Sequence, residues 1–245
     1  MASPTASTSQ AFDWPLLRWL FSSLGKKLVV AITGIVLVSF VIGHLLGNLT
    51  IFFGPDLINS YAMHLQDLGP LLWVIRLALL TTVVLHIGFT MLVWKENQAA
   101  RPQKYAVNAP IKTTVFARTM RLTGLIVLAF IAFHLAHFTL KVIDPSYAGL
   151  HTDLDGRQVH DVYRMVVLGF SNPFVSGFYI LSLALVAFHL SHGIGSLFQT
   201  LGLSSQTLRP VYETAGRVVA WALFVGYASI PVSILFFGLG KGVLQ

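Results

Sequence analysis

Five runs of apolar residues, separated by polar connections, organise this chain of 245 residues. A hydrocarbon core about 30 Å thick needs about 20 helical residues to cross it. The pattern predicts membrane-spanning helices over residues 28–52, 71–94, 119–142, 174–199 and 214–238. Arg76 lies near the start of the second, where a long side chain can snorkel to the interface, and Pro231 predicts a kink in the fifth. Ahead of the first span, WPLLRWLFSSL reads as an interfacial helix with Asp13 as N-cap and Pro15 in its first turn. Two connections have a periodicity of their own. Leu57, Ile58, Tyr61, Ala62, Leu65 and Leu68 share one helical face, with Asp56 as cap and Gly69-Pro70 as stop. Val159, Val162, Tyr163, Val166 and Val167 repeat that pattern before Asn172-Pro173 breaks it. Residues 1–12, rich in Ser, Thr and Ala, read as a disordered cytoplasmic tail, and residues 13–245 as one domain. The fold class expected is an all-α membrane protein, and no solenoid-type repeat is visible.

Composition narrows the chemistry. Charged residues are 10% of the chain and hydrophobic ones 55%, with a mean hydropathy of +0.74, so the apolar excess must face lipid. There is no cysteine, which excludes disulfides, cysteine-ligated iron–sulfur clusters and thiolate-held or covalently attached haem. The basic residues cluster at helix ends rather than on one extended surface, so no nucleic-acid partner is expected. Eleven Lys and Arg fall on the side of the N-terminus and five on the other side, which the positive-inside rule reads as N-terminus cytoplasmic and C-terminus outside.

The first four spans each carry a deep histidine: His44, His86, His134 and His189. Water cannot reach an imidazole in the bilayer core, so an ionisable residue there points to function. Neutral imidazole is also a common metal ligand, and haem iron accepts it axially. Rise per residue turns position into depth. His44 and His134 then form an outer layer and His86 and His189 an inner one, separated by roughly 10 Å. His137, one turn after His134, fits the outer layer as well, and His192 bears the same relation to His189. The alternatives to haem are histidines packed against backbone carbonyls or serving as proton relays. Gly43 and Gly47 beside His44, Gly88 after His86, and Gly193 and Gly195 after His189 would let a macrocycle approach the backbone, although glycines also serve ordinary helix packing.

The pieces FVIGHLLGNL, INSYAMHLQDLGP, VVLHIGFTML, RLTGLIVLAFIAFHLAHF and GFYILSLALVAFHLSHG, taken in order, resemble the single-chain, five-helix cytochrome b anchor of succinate dehydrogenases and fumarate reductases. The resemblance runs from Arg18 to Gln245. It implies two b-type haems enclosed by the bundle. His44 and His134 would ligate the outer haem iron and His86 and His189 the inner one, leaving His137 and His192 outside the ligand set. It further implies a flavoprotein and an iron–sulfur subunit docked on the cytoplasmic face, a membrane quinone (menaquinone or ubiquinone) as electron partner, and a bacterial cytoplasmic (inner) membrane. No FAD, iron–sulfur cluster or succinate chemistry is expected in this chain.

The same resemblance suggests Arg121, in the R-x-T-G piece, as a haem propionate donor, with Arg18, Lys26 and Lys27 as alternatives. It suggests His64 and Asp67 for proton exchange with quinone near the outer haem. Ala187 stands where some members carry a glutamate that conducts protons, so that route is not expected here. Two other classes fit the intramembrane histidines: the cytochrome b subunit of a formate dehydrogenase or hydrogenase, and a proton-coupled transporter.

Overall fold

The computed structural model describes residues 14–100 and 115–244. Among the described residues, five helices are long and apolar enough to cross a membrane, as the hydropathy pattern predicts. They are α2 (Ser23–Leu49), α4 (Pro70–Ala99), α5 (Val115–His134), α7 (Pro173–Thr200) and α8 (Leu208–Phe237). Each begins ahead of its predicted start, and α4 also runs past its predicted end through Lys95-Glu96-Asn97-Gln98, polar but still helix-forming, whereas α2, α5 and α8 stop short of theirs. Local chemistry fixes several boundaries. Ser22 caps α2 by accepting from the Gly25 N–H, and Asn172 caps α7 ahead of Pro173, whose missing N–H costs nothing there. Pro231 sits buried inside an unbroken α8.

Three expectations need correction. The interfacial helix is α1 (Pro15–Leu20), shorter than expected and preceded by Trp14 without a side-chain cap. Asp13 lies outside the described residues, as does the tail of residues 1–12. The surface helix is α3 (Pro55–Asp67), but its N-cap is Gly54 at φ 109°, and Asp56 falls in its first turn instead. The fold is also not purely helical. A hairpin of β1 (His151–Leu154) and β2 (Arg157–His160) precedes the short helix α6 (Val162–Ser171). Asp155 and Gly156 both adopt positive φ, 55° and 81°, as a tight two-residue hairpin turn requires.

The helices pack as a chain of neighbours. α2 lies along α4, α5 along α7, and α7 along α8, which also touches α2. By contrast α2 and α5 make almost no direct contact among the described residues, and neither do α4 and α7. A buried cluster of Ile51, Ile58, Tyr163, Val167, Phe170, Tyr179, Ile230 and Ile234 sits at the end opposite the N-terminus. There α3, the hairpin and α6 close over the bundle. Asn59 stitches this cover together, donating to Asp161 at 3.1 Å and accepting from the Tyr163 N–H at 3.0 Å.

Candidate functional site

The four deep histidines fall on helix pairs that make little direct contact among the described residues, α2 with α5 and α4 with α7. His44 on α2 and His134 on α5 approach to 5.9 Å between ring centres, with the planes 79° apart. His86 on α4 and His189 on α7 are close enough for their charges to interact. Two metal–nitrogen bonds of about 2 Å each, end to end, leave two imidazole rings about 6 Å apart centre to centre. The His44–His134 spacing therefore suits a metal held between two rings.

Each histidine has a defined support. Thr33 Oγ1 lies 3.0 Å from His86 Nδ1, and Thr123 Oγ1 lies 3.4 Å from His189 Nδ1. Both threonines are buried. On α2 and on α5 alike, the histidine of the other layer follows that threonine by eleven positions, about three turns and about 16 Å of rise. The layers are thus further apart than the roughly 10 Å read from span ends, because the helices start earlier and the cross-helix contacts fix the level of each histidine. His44 stacks on Phe40 at 5.4 Å and lies 3.4 Å from the Asn48 side-chain nitrogen. The Tyr179 hydroxyl lies 3.5 Å from His134 Nδ1 and 3.1 Å from His137 Nδ1.

His137 turns elsewhere. A π-helical turn over Leu135–Thr139 follows His134, and this wider turn rotates His137 toward Phe138 and Tyr147 under the far-side cover. His192 lies about one turn after His189 on α7, which packs along α8. Of the glycines beside the histidines, a Cβ at Gly43 or Gly88 would meet nothing within 4 Å, whereas Gly47 and Gly195 differ from expectation. Gly47 makes room for the Tyr61 ring of α3, and Gly195 lets Glu213 come close, so both serve helix packing. The glycines that meet the rings of the deep histidines are Gly34 and Gly124. A Cβ there would lie 3.5 Å from His86 Cε1 and 3.2 Å from His189 Cε1. Neither was singled out by sequence position. Their signal was the repeated Thr-Gly with a histidine eleven residues after the threonine.

At the N-terminal side, the Arg121 guanidinium covers the Trp94 ring at 5.4 Å, and the Trp94 indole N–H is buried without a partner among the described residues. An orphaned donor beside a cation suits an anionic oxygen. Lys26 is instead committed to Glu96. On the far side, Asp67 accepts two bonds from Arg157, at 2.9 and 2.5 Å, which tie α3 to the hairpin. Those bonds hold the carboxyl below the usual carboxylate range, which makes it a poor proton carrier near neutral pH. His64 is exposed and donates to the Ser60 carbonyl at 2.7 Å. It borders a surface cleft of ≈ 660 Å³ with Phe53, Leu57, Met63, Leu154 and Asp155.

A family model described as succinate dehydrogenase/fumarate reductase transmembrane subunit matches residues 94–229. That stretch holds Arg121, Thr123, His134 and His189 and exceeds half of the chain. No curated protein and no solved structure matches it.

Proposed function

Since the chain belongs to the succinate dehydrogenase/fumarate reductase transmembrane subunit family, we propose that it is the di-haem cytochrome b anchor of a succinate:quinone oxidoreductase. The observation that carries this reading is the pairing of four intramembrane histidines across helices that do not otherwise pack together. His44 and His134 hold one haem iron, and His86 and His189 hold the other. Each bound haem supplies a one-electron carrier within the membrane. Arg121 and the Trp94 N–H receive a propionate of the haem nearer the N-terminus. Eleven of the sixteen basic side chains lie on the side of the N-terminus, which supports placing that side in the cytoplasm. The flavoprotein and iron–sulfur subunits dock there, and succinate chemistry stays in them.

Quinone reacts toward the opposite side. His64 at the cleft is the proton-exchanging group, while Asp67 holds the rim of the site through Arg157. The membrane is a bacterial cytoplasmic one. Purified with its partner subunits, the complex shows b-type bands on reduction with dithionite and about two haems per chain. A haem-free preparation that is intact and active overturns the reading. A transporter would instead give substrate uptake by the chain alone, without haem bands.

A further inference from the structure

The inner-layer histidines stand on different helices, yet one device holds both. Thr33 and Gly34 of α2 meet the His86 ring, and Thr123 and Gly124 of α5 meet the His189 ring. Each threonine hydroxyl also reaches back to its own helix. Thr33 Oγ1 lies 2.6 Å from the Val29 carbonyl and 3.1 Å from that of Val30. Thr123 Oγ1 lies 3.1 Å from the carbonyls of both Thr119 and Met120. A hydroxyl has one proton. Given to a carbonyl, it leaves oxygen lone pairs facing the imidazole, so the ring must donate.

A neutral imidazole carries one proton, so a ring that donates from Nδ1 keeps the lone pair on Nε2. A Cβ at Gly124 would press on the His189 ring edge at 3.2 Å, whereas one at Gly34 would meet the His86 ring at an ordinary 3.5 Å.

Given the two-haem reading above, on which this rests, we infer that Thr33-Gly34 and Thr123-Gly124 are twin brackets that position the inner axial ligands. They hold His86 and His189 with Nε2 free for iron, and they set how strongly each ring donates electrons to it. An axial imidazole whose other N–H is hydrogen-bonded is the more basic ligand and favours the oxidised iron. The outer ligands have no such twin. His44 is supported by Asn48 from its own helix and His134 by a tyrosine.

The test is potentiometric titration of the haem bands in the purified complex. The inner component is identified as the one missing from His86→Ala. Thr33→Val and Thr123→Val keep the side-chain shape but remove the acceptor. Each is expected to raise the inner midpoint potential and leave the outer one in place, and the double variant is expected to shift it further. Thr33→Ser and Thr123→Ser restore the wild-type value. Unchanged potentials in both valine variants, or an equal shift of both haems, overturn the inference. If a valine variant loses the inner haem, retention in the serine variant supports the hydroxyl's role, and loss in both rejects it. A wild-type complex without b-type haem overturns the underlying reading, and that is measured before any variant is made.

Discussion

The two histidine layers are built in opposite ways. In the layer nearer the N-terminus, both rings are braced by a neighbouring helix through the same Thr-Gly pair, so α2 with α4 and α5 with α7 act as two copies of one unit. In the far layer His44 rests on Phe40 and Asn48 of its own helix. His134 there meets a tyrosine that also bonds His137 and sits among Phe130, Phe133, Phe138 and Phe170. The first layer is set by repeated contacts between spans. The second is set by one aromatic nest, closed by α3, the hairpin and α6. A change in the cover should therefore reach the far layer first, and a change in a Thr-Gly bracket the near one.

The sharpest break in the comparison separates His134 from His137. His134→Ala is expected to abolish the far haem band and spare the near one. His137→Ala should leave both bands, with thermal stability lowered by loss of the buried Tyr179 bond. Haem content and reduced spectra decide between them, and loss of the far band with His137 alone would reverse the assignment.

Alanine at the two bracket glycines should give a graded result. At Gly124 the new Cβ would sit 3.2 Å from the His189 ring, closer than comfortable packing, so the near haem band shifts or is partly lost. At Gly34 the distance is 3.5 Å, an ordinary contact, and Gly34→Ala should keep the band. Equal damage at both positions would contradict the packing shown by the two rings.

Tyr179→Phe removes the hydroxyl shared by His134 and His137. Leaving a buried polar atom unpaired costs about 1–3 kcal/mol, so thermal unfolding should begin earlier. The midpoint of the far haem should move while the near one stays. A shift confined to the near haem would remove the distinction between the layers.

The smallest effect concerns the cover. The folded-state pKa of Asp67 is depressed by Arg157, so the pair contributes stability above the ordinary carboxylate pKa of about 4 and loses it as pH falls through the lowered value. Both groups are exposed, and salt weakens them. Asp67→Asn should increase protease cleavage in the hairpin at neutral pH, with little difference from wild type in strong acid. Unchanged cleavage at neutral pH would show that the pair does not hold the hairpin.

The five spans were legible because each run of apolar residues is long enough to cross a bilayer and lacks competing periodicity. The hairpin was missed although Asp155-Gly156 is a strong two-residue turn signal. Val159 of β2 merged with the valines of α6 into one apparent helical run. The deep histidines were visible as anomalies in lipid, but their supports were not. Which helix faces a histidine depends on tertiary neighbours, so attention to adjacent glycines led to Gly47 and Gly195, which pack against other helices, and passed over Gly34 and Gly124. The similar surroundings of His134 and His137 hid a further difference. Helical spacing assumed regular α geometry, whereas the π turn after His134 rotates the second ring away.

Haem content in double variants of the purified complex tests the pairing most directly. His44→Ala with His134→Ala removes both ligands of one haem and should leave one haem per chain. His86→Ala with His189→Ala should likewise leave one. His44→Ala with His86→Ala cuts one ligand from each site and should leave none. One haem persisting in the cross-layer variant, or none in either same-layer variant, would contradict two haems held by these pairs.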